Sequence, residues 1–225
     1  TQMNVFGESV SARYAGLFGQ KSTFPKDGYQ GEYVTDIARK IIKKDGDKYL
    51  SLPATERAKV FQDLAYAQVV EDMQKTLNSM GVEFNVWFSE SSLHKTGAIN
   101  KTMSELRERG YVYEKDSASW LKTTTFGDDK DRVLIRETGE PTYFAADIAY
   151  HRNKFERGFE KVIDIWGADH HGYVKRMKAA VAALGYPADF IEVIIGQLVN
   201  LLRGGEPVRM SKRTGEMVTL DELLQ

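Results

Sequence analysis

The run Val162-Ile163-Asp164-Ile165-Trp166-Gly167-Ala168-Asp169-His170-His171-Gly172 decides the fold class. Its first half is short, apolar and β-branched, which reads as a buried strand, and Val174, Met177, Val181 and Leu184 follow at helical spacing. Strand, glycine-bounded turn and helix in that order form the unit of an α/β sheet. In such sheets the carboxyl end of the strand and the first turn of the helix open onto a crevice where ligands bind. There Gly167 and Gly172 allow close backbone approach, and Asp169 can accept hydrogen bonds from ribose hydroxyls. His170 and His171 can contact a base, a phosphate or a polar substrate. Two other readings fit the same residues. Asp169 can simply cap the helix, with the histidines solvated in its first turn. Alternatively, Asp-His-His can ligate a metal, although adjacent helical positions point about 100° apart and rarely converge on one ion.

Working towards the carboxyl end, the helix closes at Gly185-Tyr186-Pro187 and residues 191–202 read as a second strand region. Gly204-Gly205 then fits a two-residue hairpin turn. The next stretch, Val208-Arg209-Met210-Ser211-Lys212-Arg213-Thr214-Gly215, precedes an apparent capped helix start at residues 218–224. Three cations with a hydroxyl among them, near a glycine, suit a loop that closes on phosphates, with Lys212 as the point charge on a developing pyrophosphate. A solvated basic loop has the same composition. The Walker spacing Gly-x-x-x-x-Gly-Lys-Ser/Thr is absent.

Towards the amino end, Tyr143-Phe144-Ala145-Ala146-Asp147-Ile148-Ala149-Tyr150-His151 opens a helix that runs through Lys154. Tyr143 and Asp147, four apart, fall on one face if the helix has begun by then. A carboxylate and a phenol on one pocket suit a cationic ligand, a guanidinium above all, through bidentate pairing. Asp147 can equally serve its own helix dipole. Before this helix, the β-prone runs at 111–113, 120–123 and 132–135, separated by Gly127-Asp128-Asp129-Lys130-Asp131 and similar breaks, read as a small antiparallel insertion. Residues 96–109 read as a helix ended at Gly110, and residues 82–89 alternate like a strand. The first 81 residues are mainly helical, over 32–44 and from Pro53 to Gly81, with their Met and aromatic residues spaced as core. Three segments result: 1–81 mainly helical, 82–143 strand, helix and antiparallel insertion, and 144–225 α/β with the basic loop.

Composition narrows the function classes. The 225 residues hold 31 Lys and Arg against 32 Asp and Glu, a net charge of -1, which argues against an overall cationic nucleic-acid coat but not a local basic patch. There is no cysteine, which excludes disulfides and thiolate metal sites. No stretch approaches the roughly 20 apolar residues of a membrane span. Met3 is internal and Thr1-Gln2 resembles neither a start nor a signal peptide, so the expectation is an internal piece of a longer chain.

Together the motifs resemble the second half of a class I aminoacyl-tRNA synthetase catalytic domain, and within that class the arginyl-tRNA synthetase family. The strand–Gly-Ala-Asp-His-His-Gly–helix unit is followed by Val-Arg-Met-Ser-Lys-Arg, similar to the family's Lys-Met-Ser-Lys-Ser signature with Arg209 for its first Lys and Arg213 for its last Ser. Residues 3–9, 27–33, 126–134, 141–151 and 211–215 also carry that family's wording. The resemblance implies an α/β fold: the second half of a Rossmann-like nucleotide-binding domain with helical and small antiparallel β insertions. It implies that Tyr143 and Asp147 recognise the arginine guanidinium and that His170 adds a polar contact to arginine. Gly167, Asp169 and His171 would lie on the ATP side, while Met210 and Lys212 close on adenine and phosphates and Ser211 and Lys212 act in catalysis.

The implied reaction is arginine activation by ATP, accompanied by Mg²⁺, to arginyl-adenylate and then transfer to tRNA(Arg) in the cytoplasm. It implies no tightly bound cofactor and no structural metal. The family's His-x-Gly-His is not formed by His94, His151, His170 or His171, the four histidines present. These residues by themselves are therefore expected not to form the adenylate. The alternative from another class is a naturally shortened, non-catalytic module that binds tRNA, arginine or a partner protein. The oligomeric state stays open at this level.

Overall fold

The computed structural model describes residues 2–187, 189–208 and 218–224. They group into two units, Thr1–Asn85 with Asn200–Gln225, and Val86–Val199.

In the first unit three helices pack together: α1 (Gln2–Leu17), α2 (Glu32–Asp45) and α3 (Ala54–Ser79). The stripe Val34, Ile37, Ala38 and Ile41 of α2 is buried with Phe6, Val10 and Tyr14 of α1 and Phe61 and Ala65 of α3. α1 and α3 approach closely at Gly7, where a Cβ would stand 2.5 Å from the carbonyl oxygen of Ala58. The Tyr14 ring meets Phe61 edge-on, and its hydroxyl donates to the carbonyl of Gly46 at 2.7 Å, so one aromatic fills the core and seals the end of α2. The expected core stripe of this segment, Val60, Leu64, Ala67, Val70, Met73, Leu77 and Met80, is not the buried face: the buried residues of α3 are Arg57, Ala58, Phe61 and Ala65, with Val60 and Leu64 only partly buried beside them. No residue beyond Ala65 is buried in that helix, and Met73 and Met80 are exposed; its later turns meet α2 at the surface, where Lys40 donates to Asp72 at 2.9 Å.

The second unit begins with α4 (Glu90–Lys95) and α5 (Ala98–Glu108), then the antiparallel sheet β1 (Val112–Lys115), β2 (Ala118–Leu121) and β3 (Arg132–Ile135) in that order. The β1–β2 turn is the pair Asp116 and Ser117, both at positive φ, as a two-residue hairpin requires. α6 (Tyr143–Glu156), β4 (Val162–Gly167), α7 (Tyr173–Ala183) and β5 (Ile191–Gly196) complete the unit. β4 and β5 are parallel, in register from Val162 opposite Ile191 to Gly167 opposite Gly196. Parallel pairing around a crossover helix is the α/β unit the opening stretch implies.

Three expectations need correction. Residues 82–89 form no strand; the division between the two units falls within them, at Asn85 and Val86. β4 is buried on one face only: Val162 and Asp164 are buried, whereas Ile165 is 76% exposed. The second strand ends at Gly196 rather than near residue 202. The glycine hairpin is present: β6 (Leu202–Arg203) and β7 (Glu206–Pro207) pair antiparallel about Gly204 and Gly205, at φ +61° and +88°. The last helix, α8 (Leu220–Leu223), starts with a capping box in which Thr219 and Glu222 bond each other's backbone N–H. Among the described residues no helix is long and apolar enough to cross a membrane.

Candidate functional site

The site is built where α6, the end of β4 and the start of α7 meet. Thr142 fixes where α6 begins. Its backbone N–H donates to the carbonyl of Leu134 on β3 at 2.8 Å, and its hydroxyl accepts from the Ala145 N–H at 3.3 Å. The same hydroxyl lies 3.0 Å from the carbonyl of Val133, so an N-cap and a tie to β3 are made by one side chain. Tyr143 is therefore the first helical residue, and the spacing to Asp147 is a true helical one. Tyr143 is 79% exposed and borders a cleft of about 190 Å³ shared with Glu90, His94, Arg136 and Ala146.

Asp147 lies one turn further in, half-buried. A phenol does converge on its carboxylate, but it belongs to Tyr173, whose hydroxyl donates to Asp147 Oδ2 at 2.8 Å. Tyr143 makes no hydrogen bond among the described residues. Tyr173 is held edge-on by Phe144 and by Trp166, with ring centroids 5.9 and 5.7 Å away, and the Arg176 guanidinium sits 4.7 Å over its ring. Burial, reinforced by the neighbouring Asp147 carboxylate, pushes the Tyr173 phenol well above its usual range, so it acts as a permanent donor. One carboxylate oxygen of Asp147 is thereby occupied, and the other has no hydrogen-bond partner among the described residues. A bidentate cation would share Oδ2 with Tyr173.

The turn between β4 and α7 carries the other candidates. Gly167 ends the strand, Ala168–His170 make one 3-10 turn, and Gly172 precedes α7 without any side-chain cap. The helix-capping reading of Asp169 is thus not realised: its carboxylate folds back over Gly167, where a Cβ would lie 2.6 Å from Oδ1. Asp169 and His170 are exposed and 3.6 Å apart, and His171 is exposed. Among the described residues no three His, Asp or Glu side chains gather as a metal-binding group. Asp169, His170 and His171 thus stand exposed at the strand end, and in the first turn of α7 the Val174 N–H donates to the carbonyl of His171 at 3.3 Å. Arg209, Met210, Ser211, Lys212 and Arg213 lie outside the described residues.

Sequence reasoning missed Tyr173, which stands first in the helix after the loop but reaches a carboxylate 26 positions earlier. It also left Asp128 in a polar break and Arg132 at the start of a β-prone run, with no bond between them. The Arg132 guanidinium donates to Asp128 at 2.7 and 3.0 Å and to Asp129 as well. Burial raises the Asp128 carboxyl, yet the Arg132 bonds outweigh it and hold the group down to about 2. The ion pair is internal to the insertion, whose adjacent turn Thr123–Phe126 packs on α7, the helix that supplies Tyr173. Replacing Tyr173 with Phe removes one bond to a charged group, worth about 1.5 kcal/mol or roughly a tenfold change. The expected outcome in steady-state kinetics is a KM for the cationic substrate raised about tenfold, with little change for the nucleotide.

The described geometry has counterparts among known proteins. A profile for tRNA synthetases class I (R), catalytic domain, matches residues 24–225. The arginine–tRNA ligase of Carboxydothermus hydrogenoformans is 52% identical over 224 residues, all of this chain and 40% of that protein. The arginine–tRNA ligase of Heliobacterium modesticaldum is also 52% identical over the same share. A solved structure from Campylobacter jejuni, described as an arginyl-tRNA synthetase, superposes with a TM-score of 0.83 at 35% identity, over 99% of this chain and 48% of that one. The chain thus spans about two fifths of the length of the curated relatives it matches. The profile match over residues 24–225, together with 52% identity to these arginine–tRNA ligases and a fold shared with the solved structure, places the chain in the arginyl-tRNA synthetase family, within the catalytic domain of the class I enzymes.

Proposed function

We propose that these residues form the arginine-accepting side of a centre that activates arginine with ATP and passes it to tRNA(Arg) in the cytoplasm. In this reaction the arginine carboxylate attacks the α-phosphorus of ATP, which arrives with Mg²⁺, and pyrophosphate leaves. The terminal hydroxyl of the tRNA then attacks the carbonyl carbon of the adenylate and AMP leaves. The observation that carries the reading is Asp147: a half-buried carboxylate whose Oδ2 is held by Tyr173 and whose other oxygen is unpartnered among the described residues. Such a group suits a planar guanidinium better than an ammonium, because the fork of N–H donors matches a carboxylate. Tyr143, one turn earlier, and His170, at the strand end, would complete the arginine contacts. Gly167, Asp169 and His171 would face the adenosine, and Ser211 and Lys212 would follow the phosphates, with Met210 against adenine.

The test is arginine-dependent exchange of labelled pyrophosphate into ATP. The protein expressed from its complete reading frame is expected to catalyse it, with lysine and citrulline inert. The 225 residues alone are expected to give background exchange, since they contain no His-x-Gly-His. Background exchange from the complete protein, with arginine or tRNA still bound, would instead favour a non-catalytic binding module.

A further inference from the structure

Beneath α6 lies a buried polar cluster that the proposed chemistry does not use. His151 is 3% exposed and Asp164, on β4, is 8% exposed. The His151 ring bridges them to the site: Nδ1 is 2.8 Å from the carbonyl oxygen of Asp147, and Nε2 is 2.7 Å from Asp164 Oδ2. Lys154, also on α6, donates to Asp164 Oδ1 at 2.8 Å. A carbonyl oxygen only accepts, so Nδ1 carries a proton. Burial raises the Asp164 carboxyl, but the His151 and Lys154 bonds bring it below its ordinary value, so it stays ionised and also only accepts. Both ring nitrogens of His151, both carboxylate oxygens of Asp164 and the Lys154 ammonium thus each have a partner. This matters because one unmatched group in so dry a place is costly.

The cluster sits at a mechanical junction. Asp147 presents its carboxylate to the candidate arginine site and its carbonyl to His151. Asp164 precedes Gly167 by three residues on the strand whose end carries Asp169 and His170. We propose that His151 is a positioning residue for arginine: its bond to Asp164 locks the α6 turn bearing Asp147 onto β4, setting the distance between the guanidinium-binding carboxylate and the strand end. Lys154 neutralises Asp164 from one turn further along α6 and does not reach the Asp147 turn. The inference rests on the reading of Asp147 as the guanidinium ligand.

The experiment is steady-state exchange kinetics on the complete protein carrying His151→Gln, His151→Asn or His151→Ala. A glutamine amide nitrogen falls near the position of Nε2 and can still reach Asp164, whereas the shorter asparagine can bond only locally. The expected result is a KM for arginine about tenfold higher in the Asn and Ala variants, with KM for ATP within about twofold. In His151→Gln the arginine KM should return to within about threefold of the parent, a recovery that general loosening would not give. A misplacement of about 1 Å near a reacting centre can cost about 100-fold, so a tenfold effect needs only a fraction of that shift. Should the Ala variant fail to fold, the Gln and Asn pair carries the comparison. Equal rises in both KM values, or an unchanged arginine KM in folded His151→Asn, would overturn the positioning role. An Asp147→Ala protein with unchanged arginine KM would instead sink the underlying reading, so the two failures are distinct.

Discussion

Alanine at Asp147 is expected to lower kcat/KM for arginine by two to three decades while leaving the KM for ATP within about twofold. Truncating one partner of a desolvated, hydrogen-bonded charge pair costs about 3 to 4 kcal/mol, much of it from leaving the other charge unmatched. Here the unmatched charge would be the substrate guanidinium. The carboxylate is half-buried and already fixed by the Tyr173 hydroxyl, so little reorganisation is needed when the ligand arrives. The loss should therefore fall on arginine and not on the nucleotide, which meets the strand end at Gly167 and Asp169 in this reading. Asp147→Asn separates charge from shape: it keeps an acceptor for Tyr173 but cannot pair with a cation, and it should lie close to the alanine variant in arginine kinetics. Alanine also strands the Tyr173 hydroxyl, so a modest fall in melting temperature is expected for Asp147→Ala and a smaller one for Asp147→Asn. Equal losses for arginine and ATP would show that Asp147 supports the fold of the site and does not bind the guanidinium.

How far this site could be read from the sequence depends on how local each feature is. α2 was legible because its apolar residues repeat within one helix, and the burial of Val34, Ile37, Ala38 and Ile41 follows from that repeat alone. The strand–turn–helix unit from Val162 to α7, the three insertion strands and the Gly204-Gly205 hairpin were legible for the same reason: turn chemistry and periodicity act over a few residues. Residues 82–89 were misread because alternation describes one strand, whereas strand formation is a property of two. Met73 of α3 and Met80, just past its end, carry core-like spacing, but spacing does not say which face of a helix meets its partners, here that of Arg57, Ala58, Phe61 and Ala65. In the site, the order Tyr143 to Asp147 was readable and the helix start made it real. The bonds that define it were not. Tyr173 to Asp147 and His151 to Asp164 join residues on different elements, and either pair could have been replaced by a dozen other polar pairs with no change in local pattern. Asp169 shows the opposite error: its position one turn before α7 fits a cap, yet the intervening 3-10 turn carries it out of reach of the helix N–H groups.

Lys212→Ala is expected to leave both KM values within about threefold and to slow arginine-dependent exchange by about 10²- to 10³-fold. The reason is where charge appears. When the arginine carboxylate attacks the α-phosphorus, the bond to the departing pyrophosphate breaks and negative charge grows on its oxygens. A flexible ammonium placed there gains little in the ground state and much in the transition state, which is the condition for raising kcat and not merely lowering KM. Loss of one such preorganised contact is worth about 2.7 to 4 kcal/mol, the rate range given above. Gly204-Gly205 turns the chain before Val208 and Thr219 opens the last helix with its capping box; the cationic run between them lies outside the described residues. Arginine at 212 should restore only part of the rate, because its planar fork replaces a compact point charge. The contrast with Asp147 is the sharpest available test of the division of labour, one residue acting through KM for arginine and the other through kcat for both substrates. A raised KM for ATP with unchanged kcat would assign Lys212 to ground-state binding, and no change in either would leave the run as a solvated basic loop.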